Sequence, residues 1–556
     1  MGGQTMSRID IQTSPDRYRH WRIETDGEIA SLVMDVDPAG GLSSDYELKL
    51  NSYDLAVDIE LSDAIQRLRF EHPEVRAVVV KSGKENVFCA GANIRMLGKA
   101  THGHKVNFCK FTNETRLSIE DASEHSRQIY LSAVSGTAAG GGYELALATD
   151  WIMLVDDRRS AVSLPETPLL AVLPGTGGIT RVTDKRKVRR DLADMFCATE
   201  EGQRGKKAVD WRLIDETVVK TKWDDAVTAR AKEIAARSDR PAGAKGIKFT
   251  PLKREITDKV ISYSTVRAEV ERERGLATII VRGPATPPPN SVEDAQAQGD
   301  QFWPLLFARE TEDAILQLRF NEPTVGLILF RTEGEAKIVL DHDRFVAANQ
   351  NHWLIREVRH YMKRVLKRID VTAKSLIALV EPGSCFAGTL AELLFASDRA
   401  LMLIGRREGD NRPPAAIVLG EANFGPYPMG NGLTRLETRF LGEPASIGRA
   451  KGKIGAPVEG GEAAELGLIT VAYENFDWDD ELRIMIEERV SFSPDALTGM
   501  EANIRFAGPE TMETKIFGRL TAWQNWIFQR PNSVGEQGAL KLYGSGVQPN
   551  FDRERV

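Results

Sequence analysis

An α/β chain made of two similar halves is the fold class this sequence predicts, and three observations predict it. Strand-like and helix-like stretches alternate along the chain. Segments of the second half line up with segments of the first at a near-constant offset. Between the halves stands the proline-dense run Gly283-Pro284-Ala285-Thr286-Pro287-Pro288-Pro289-Asn290, which favours extended, non-helical chain.

The offsets are specific. Glu144-Leu145…Asp150 matches Glu392-Leu393…Asp398, 248 residues on. Glu166…Gly178-Ile179-Thr180-Arg181 matches Glu421…Gly432-Leu433-Thr434-Arg435, with 255 residues between the glutamates. Ala208…Leu213-Ile214 matches Ala463…Leu468-Ile469 at 255, and Val80…Gly83 matches Leu329…Gly334 at about 251. The expected organisation is a catalytic module over 1–282, a proline-rich linker over 283–300, and a degenerate scaffold and dimerisation module over 301–556.

In chain order, Ile59 to Arg69 carries apolar residues at helical spacing, and Val78-Val79-Val80 reads as a buried strand. The small-residue turn Cys89-Ala90-Gly91-Ala92 then leads into a helix. Gly140-Gly141-Gly142 lets the backbone turn tightly and lets a ligand approach its amides. The alanine- and leucine-rich run after it favours a helix, so those amides lie at a helix N-terminus, suited to negative charge developing on an oxygen. Glu144 puts a carboxylate in the first turn. Trp151 to Val155 is a further strand, and residues 480–530, with Trp523, Trp526 and Phe528, form a helical end of the second half.

Size and composition exclude several classes. A chain of 556 residues exceeds one ordinary core, and 42% hydrophobic with 28% charged residues describes a soluble globular protein. A net charge of −7 argues against nucleic acid as a partner. No run of about 18 apolar residues is present to span a membrane, and Met1 to Asp10 lacks the apolar core of a signal peptide. The four cysteines, Cys89, Cys109, Cys197 and Cys385, are too widely spaced for a metal knuckle or a disulfide framework, which fits a cytoplasmic protein. The eight histidines form no metal-ligand set.

Three motifs carry the chemistry: Phe88-Cys-Ala-Gly-Ala-Asn93, Gly140-Gly-Gly-Tyr-Glu144, and Pro165-Glu166 followed by Pro174-Gly-Thr-Gly-Gly-Ile-Thr-Arg181. In this order and at this spacing the chain resembles the crotonase (enoyl-CoA hydratase/isomerase) superfamily. The resemblance implies a spiral of ββα units, an acyl-CoA substrate and no resident cofactor. It makes the amides of Ala92 and Gly141 an oxyanion hole for the thioester carbonyl, and Glu144 and Glu166 the catalytic carboxylates. Asn93 stands where the family usually has Asp, which leaves the amide donor of the loop intact.

Asn93, Ile94, Gly140 and Gly142 are expected beside the acyl group, and Lys49 and Leu50 beside the CoA arm. Lys105 and Lys110 flank Cys109 at positions suited to lowering its thiol pKa. Cys109 is either a base or water-positioning group or a small buried apolar residue.

The second half has Gly388-Thr389-Leu390 for the three glycines and no counterpart of the 88–93 loop. Glu392 and Glu421 are therefore expected to be structural. In its doubled length, degenerate second half and lengthened segment around Cys109 the chain resembles a ring-opening branch of the superfamily. The resemblance implies water-driven cleavage of an aromatic-derived acyl-CoA. With the second half supplying contact surface, a homodimer is expected. A fused hydratase of a linear or alicyclic enoyl-CoA and a non-catalytic acyl-CoA-binding scaffold stay open as alternatives.

Overall fold

The computed structural model describes residues 8–556 and divides into two compact units, Asp10–Pro251 and Leu252–Val556, the latter including Arg8 and Ile9. In the Asp10–Pro251 unit, β1 (Trp21–Asp26) and β2 (Ile29–Met34) form an antiparallel hairpin. Helix α1 (Leu55–Phe70) then leads to β3 (Ala77–Ser82), and β4 (Val87–Cys89), α2 (Ile94–Lys99) and α3 (His102–Ser126) follow. Next come β5 (Ile129–Val134), β6 (Thr137–Ala139), α4 (Gly141–Ala148), β7 (Trp151–Asp156) and β8 (Val162–Ser163), then α5 (Glu166–Leu170), α6 (Gly178–Thr180) and β9 (Glu216–Val219).

The main sheet runs β1-β2-β3-β5-β7-β9, parallel from β2 onward, and a small parallel sheet β4-β6-β8 carries the loops that matter below. Each parallel pair requires a crossover: α1, α3 and α4 supply three, and the segment with β8, α5 and α6 supplies the one from β7 to β9. Ala77, Val79, Leu131, Ala133 and Met153 on one face of the main sheet pack on Ala231, Ile234 and Ala235 of the helix Trp223–Ala235. The alternate residues Val78 and Val80 are also fully buried, so the sheet is covered on both faces, as a parallel sheet must be. Asp54 caps α1 by accepting from the Ala56 amide at 2.9 Å. Helix α3, much longer than a single crossover needs, ends at Arg127 in the left-handed region (φ 57°).

The second unit orders its strands β10 (Glu255–Ile256), β11 (Val260–Ser262), β12 (Val266–Glu271), β13 (Leu276–Arg282), β14 (Leu327–Glu333), β15 (Ser375–Val380), β17 (Arg399–Ile404) and β20 (Val471–Glu474). It is antiparallel to β13 and parallel beyond. From β12 to β20 this is the same order as in the first unit. A small sheet of β16 (Phe386–Ala387), β18 (Ala416–Val418) and β19 (Pro457–Glu459) accompanies it. The helices Asn475–Ser491, Pro494–Ile504 and Thr521–Ile527 form the expected helical end.

The expected boundary is corrected. Residues 283–300 do not join the units, because β13 lies before the prolines and pairs along its whole length with β14 after them. The hydrogen-bond ladder assigns 255–282 to the second sheet, and the prolines shape a loop inside that unit. Among the described residues no helix is long and apolar enough to cross a membrane.

Candidate active site

Two backbone turns meet in the first unit. The loop after β4 is tied down by a bridge between Tyr53 and Ala92: the Tyr53 amide donates to the Gly91 carbonyl (3.0 Å) and the Asn93 amide to the Tyr53 carbonyl (2.8 Å). A Cβ added to Gly91 would lie 2.9 Å from the Gly141 nitrogen, so this loop touches the start of α4. Gly140 enters that helix at φ 52°, ψ −127°, a conformation side-chain-bearing residues avoid. Gly141 is the first residue of α4, where an amide has no partner within the helix. The loop that carries Ala92 thus lies against the start of α4 at Gly141.

Glu144 is 2% exposed and held from three sides. The amides of Thr176 (3.0 Å) and Gly178 (2.8 Å) donate to its Oε1, and the Thr176 hydroxyl donates to Oε2. The Pro174–Arg181 motif is therefore a clamp on this carboxylate. Arg181 fixes the clamp by donating to the Thr176 carbonyl (3.1 Å) and forming a fork on Glu120 of α3 (2.9 Å each). Burial pushes the Glu144 carboxyl above its ordinary range, against the pull of these hydrogen bonds.

Glu166 begins α5 and reaches back over the glycine turn, because the Gly140 amide donates to Ser163 at the end of β8 (2.9 Å). A Cβ on Gly140 would meet Glu166 Oε1 at 2.6 Å. Glu166 Oε2 is buried with no hydrogen-bond partner among the described residues. Burial, followed by the charge of Glu144, raises this carboxyl to about 7. The two glutamates thus form an electrostatically linked pair beside the two amides.

Cys109, on α3, is partly buried, and its thiol feels Glu144 and Asp58. The expected lowering by Lys105 and Lys110 is overturned. Burial pushes the thiol up to about 11 and the two carboxylates add to that, so it stays a neutral S–H at neutral pH. Cys197, which the sequence left without a role, also feels Glu166 and is raised to about 11, chiefly by burial.

Other expectations change as well. Asn93 is 6% exposed and caps α2 by accepting from the Met96 amide (3.0 Å), while its amide group donates to Glu47 and Ser52. Its side chain is therefore committed to holding the loop rather than to ligand. Gly142 is a packing position, since any Cβ there would overlap Cys89. Lys49 is exposed and paired with Glu47 at 2.9 Å, and Leu50 and Ile94 are 63% and 59% exposed.

Tyr53 is the residue sequence reasoning missed. It is 1% exposed, its ring lies 5.9 Å from Phe108 and under the Arg116 guanidinium (5.2 Å), and its hydroxyl has no partner among the described residues. A Cβ on Gly141 would overlap that hydroxyl. The only sequence signal was the aromatic itself, in a loop whose bridge to Ala92 is a tertiary contact.

In the second unit the matching positions are closed. The amide of Thr389, the counterpart of Gly141, donates to Asp343 at 2.8 Å, and its hydroxyl donates to the same carboxylate. Glu392, the counterpart of Glu144, is ion-paired with Arg435 at 2.9 Å and accepts from Asn423 at 2.8 Å. Glu421 is exposed and borders a cavity of about 170 Å³ with Leu340, Asp343 and Tyr427.

Residues 47–269 match the family enoyl-CoA hydratase/isomerase. Over 548 residues the chain is 56% identical to a benzoyl-CoA-dihydrodiol lyase of Aromatoleum evansii, covering 99% of this chain and 98% of that relative. Among solved structures it is similar to an enoyl-CoA hydratase of Geobacillus kaustophilus HTA426, at 28% identity over 39% of this chain and 75% of that one, with a TM-score of 0.35. An enoyl-CoA hydratase of Bacillus anthracis is 23% identical over 39% of this chain and 77% of its own, with a TM-score of 0.34.

Proposed function

From the premise that this chain belongs to the enoyl-CoA hydratase/isomerase family, we propose that it is a benzoyl-CoA-dihydrodiol lyase like its Aromatoleum evansii relative, and that it acts by opening the ring. The single observation that carries this reading is 56% identity over nearly the whole length of both chains, second unit included. The substrate proposed is 2,3-epoxybenzoyl-CoA (the 2,3-dihydrodiol level of benzoyl-CoA). With two waters it yields 3,4-didehydroadipyl-CoA semialdehyde and formate, a balance that requires no added oxidant or reductant and no resident cofactor.

The site supports each step. The amides of Ala92 and Gly141 hold the thioester oxygen, so the carbanion left by carbon–carbon cleavage is stabilised as an enolate. Glu166, with an unpartnered Oε2, accepts the proton of the attacking water, and the Glu144–Glu166 pair returns a proton to carbon. The neutral Cys109 thiol positions the second water, which carries the formyl carbon away as formate. Incubation with 2,3-epoxybenzoyl-CoA and, separately, crotonyl-CoA tests the reading. Formate released only from the epoxide supports it, and hydration of crotonyl-CoA without formate from the epoxide refutes it.

Asp10–Pro251 is proposed as the catalytic unit and Leu252–Val556 as a degenerate copy. The shared strand order, the Asp343 carboxylate on the Thr389 amide and the Glu392–Arg435 ion pair support this. A cytoplasmic homodimer is proposed, with the second unit as dimer contact. Exposed apolar side chains in its C-terminal stretch, Phe517 (71%), Leu520 (51%) and Phe528 (55%), support that role. A solution mass other than twice that of the chain refutes it.

A further inference from the structure

We propose that Tyr53 is a third donor of the oxyanion hole, its hydroxyl hydrogen-bonding the thioester oxygen beside the Ala92 and Gly141 amides. The proposal rests on the acyl-CoA reading of this site and extends it to a residue on neither of the two glycine-containing turns.

Four observations on different atoms converge. The phenol is buried, yet its oxygen has no hydrogen-bond partner among the described residues. A buried hydroxyl left unpaired costs on the order of 1–3 kcal/mol in a folded protein, so its retention requires an explanation. The oxygen sits against Gly141, where any Cβ would overlap it, so Gly141 leaves room for the hydroxyl as well as for substrate. The Tyr53 backbone is bridged to Ala92, so the phenol is anchored to the residue that supplies the other amide. The ring is clamped by Phe108 and by Arg116, whose guanidinium is in turn fixed on Asp58 at 2.7 Å.

Burial also drives the phenol far above its ordinary pKa, so it remains a neutral donor throughout the working pH range. A neutral O–H aimed at a developing oxyanion stabilises it without bringing a second negative charge near Glu144. Arg116 over the ring face completes the arrangement. Its charge opposes the effect of burial on the phenol and so makes the hydroxyl a better donor to a negative oxygen.

The test is Tyr53→Phe in the full-length protein, which keeps the ring and its contacts. The probe is benzoyl-CoA labelled with ¹³C at the thioester carbonyl, which lacks the epoxide and is not turned over. Its carbonyl stretch, read by infrared difference spectroscopy, is expected to shift to lower frequency on binding the native protein and to return part of the way toward the free value in Tyr53→Phe. Turnover of 2,3-epoxybenzoyl-CoA is expected to fall on the order of 100-fold, the range for losing one hole donor. The Kd for benzoyl-CoA should stay within about threefold. The thermal midpoint should not fall, because the deleted hydroxyl has no hydrogen-bond partner among the described residues.

A band and a kcat both unchanged in the variant overturn the proposal, as does a loss of stability that accounts for the lost turnover. A native complex with no carbonyl shift overturns the hole itself, and the role of Tyr53 with it. If the epoxide is not the substrate, formate never appears while the carbonyl shift and its loss in Tyr53→Phe persist, so the two failures are distinguishable.

Discussion

Glu166 titrates where enzymes are assayed, and that makes the proton-transfer scheme testable by pH alone. With its carboxyl raised to about 7, about one-tenth of it is ionised at pH 6 and about nine-tenths at pH 8. If the ionised form takes the proton from water, kcat/KM should rise about tenfold across that window. Glu166→Gln should lower turnover at least 100-fold and remove the inflection. Glu144→Gln should move the inflection to lower pH, because the neighbouring charge that helps raise Glu166 is gone. Stability should respond with a definite sign. A carboxyl raised in the folded state takes up no more protons than the unfolded chain below about pH 4.5. Its folding penalty grows as pH rises and is complete above about 7. Glu166→Gln should therefore be more stable than the native protein at pH 8, by on the order of 1–2 kcal/mol after allowance for solvent screening, and equal to it near pH 4. Stopped assays of formate from pH 5.5 to 9, paired with urea titrations at pH 5 and 8, read both effects. A rate that falls from pH 6 to 8 would assign the acid role to Glu166, and a Glu166→Gln variant that keeps the inflection would falsify the scheme.

Four further outcomes are expected. Glu144→Gln should cost at least 100-fold in turnover while acyl-CoA binding, measured by calorimetry, survives. Gly141→Val should abolish turnover with circular dichroism retained, since its side chain displaces the Tyr53 hydroxyl and blocks the thioester; normal turnover would mean the hole is elsewhere. Glu421→Gln should change neither activity nor melting temperature. Glu392→Gln should keep kcat per folded molecule but lower stability by about 3 kcal/mol, because Arg435 loses one of its two buried carboxylate partners; loss of kcat without loss of stability would make the second site catalytic.

The fold and much of the site were legible because local chemistry dictates them. Three glycines before an apolar helix force a turn whose first helical amide has no partner in the helix, and Glu144 falls in that first turn, whereas Glu166 reaches it through the pairing of β6 with β8. The 248–255 spacing likewise pairs segments whose strands hold matching places in the two sheets. What the sequence concealed depends on contacts made at long range. The unit boundary was misread at the prolines because ladder pairing between β13 and β14, not backbone stiffness, decides to which unit a strand belongs. The thiol of Cys109 was misread because its burial, a tertiary property, pushes it up, and the carboxylates of Glu144 and Asp58 add to that.

The two helix N-termini show why one unit is proposed to act and the other to support. Each begins with a glycine in the left-handed half of the map or next to one, each carries a glutamate in its first turns, and each is followed by the same buried strand. They part in what surrounds that helix start. In the second unit the chain after β14 forms the helix Ala336–Ala348 where the first unit has the 88–93 loop, and Asp343 on that helix accepts from the Thr389 amide and hydroxyl. A carboxylate seated on those donors leaves them nothing to offer a thioester, and its negative charge would repel the enolate that the first unit stabilises. Asp343→Ala is therefore the informative variant. It should free the Thr389 amide yet gain no activity, because Glu392 remains locked to Arg435 and no second loop amide exists to complete a hole. Turnover above that of a Glu144→Gln background in the Glu144→Gln/Asp343→Ala double variant would show that the plug alone silences the second site.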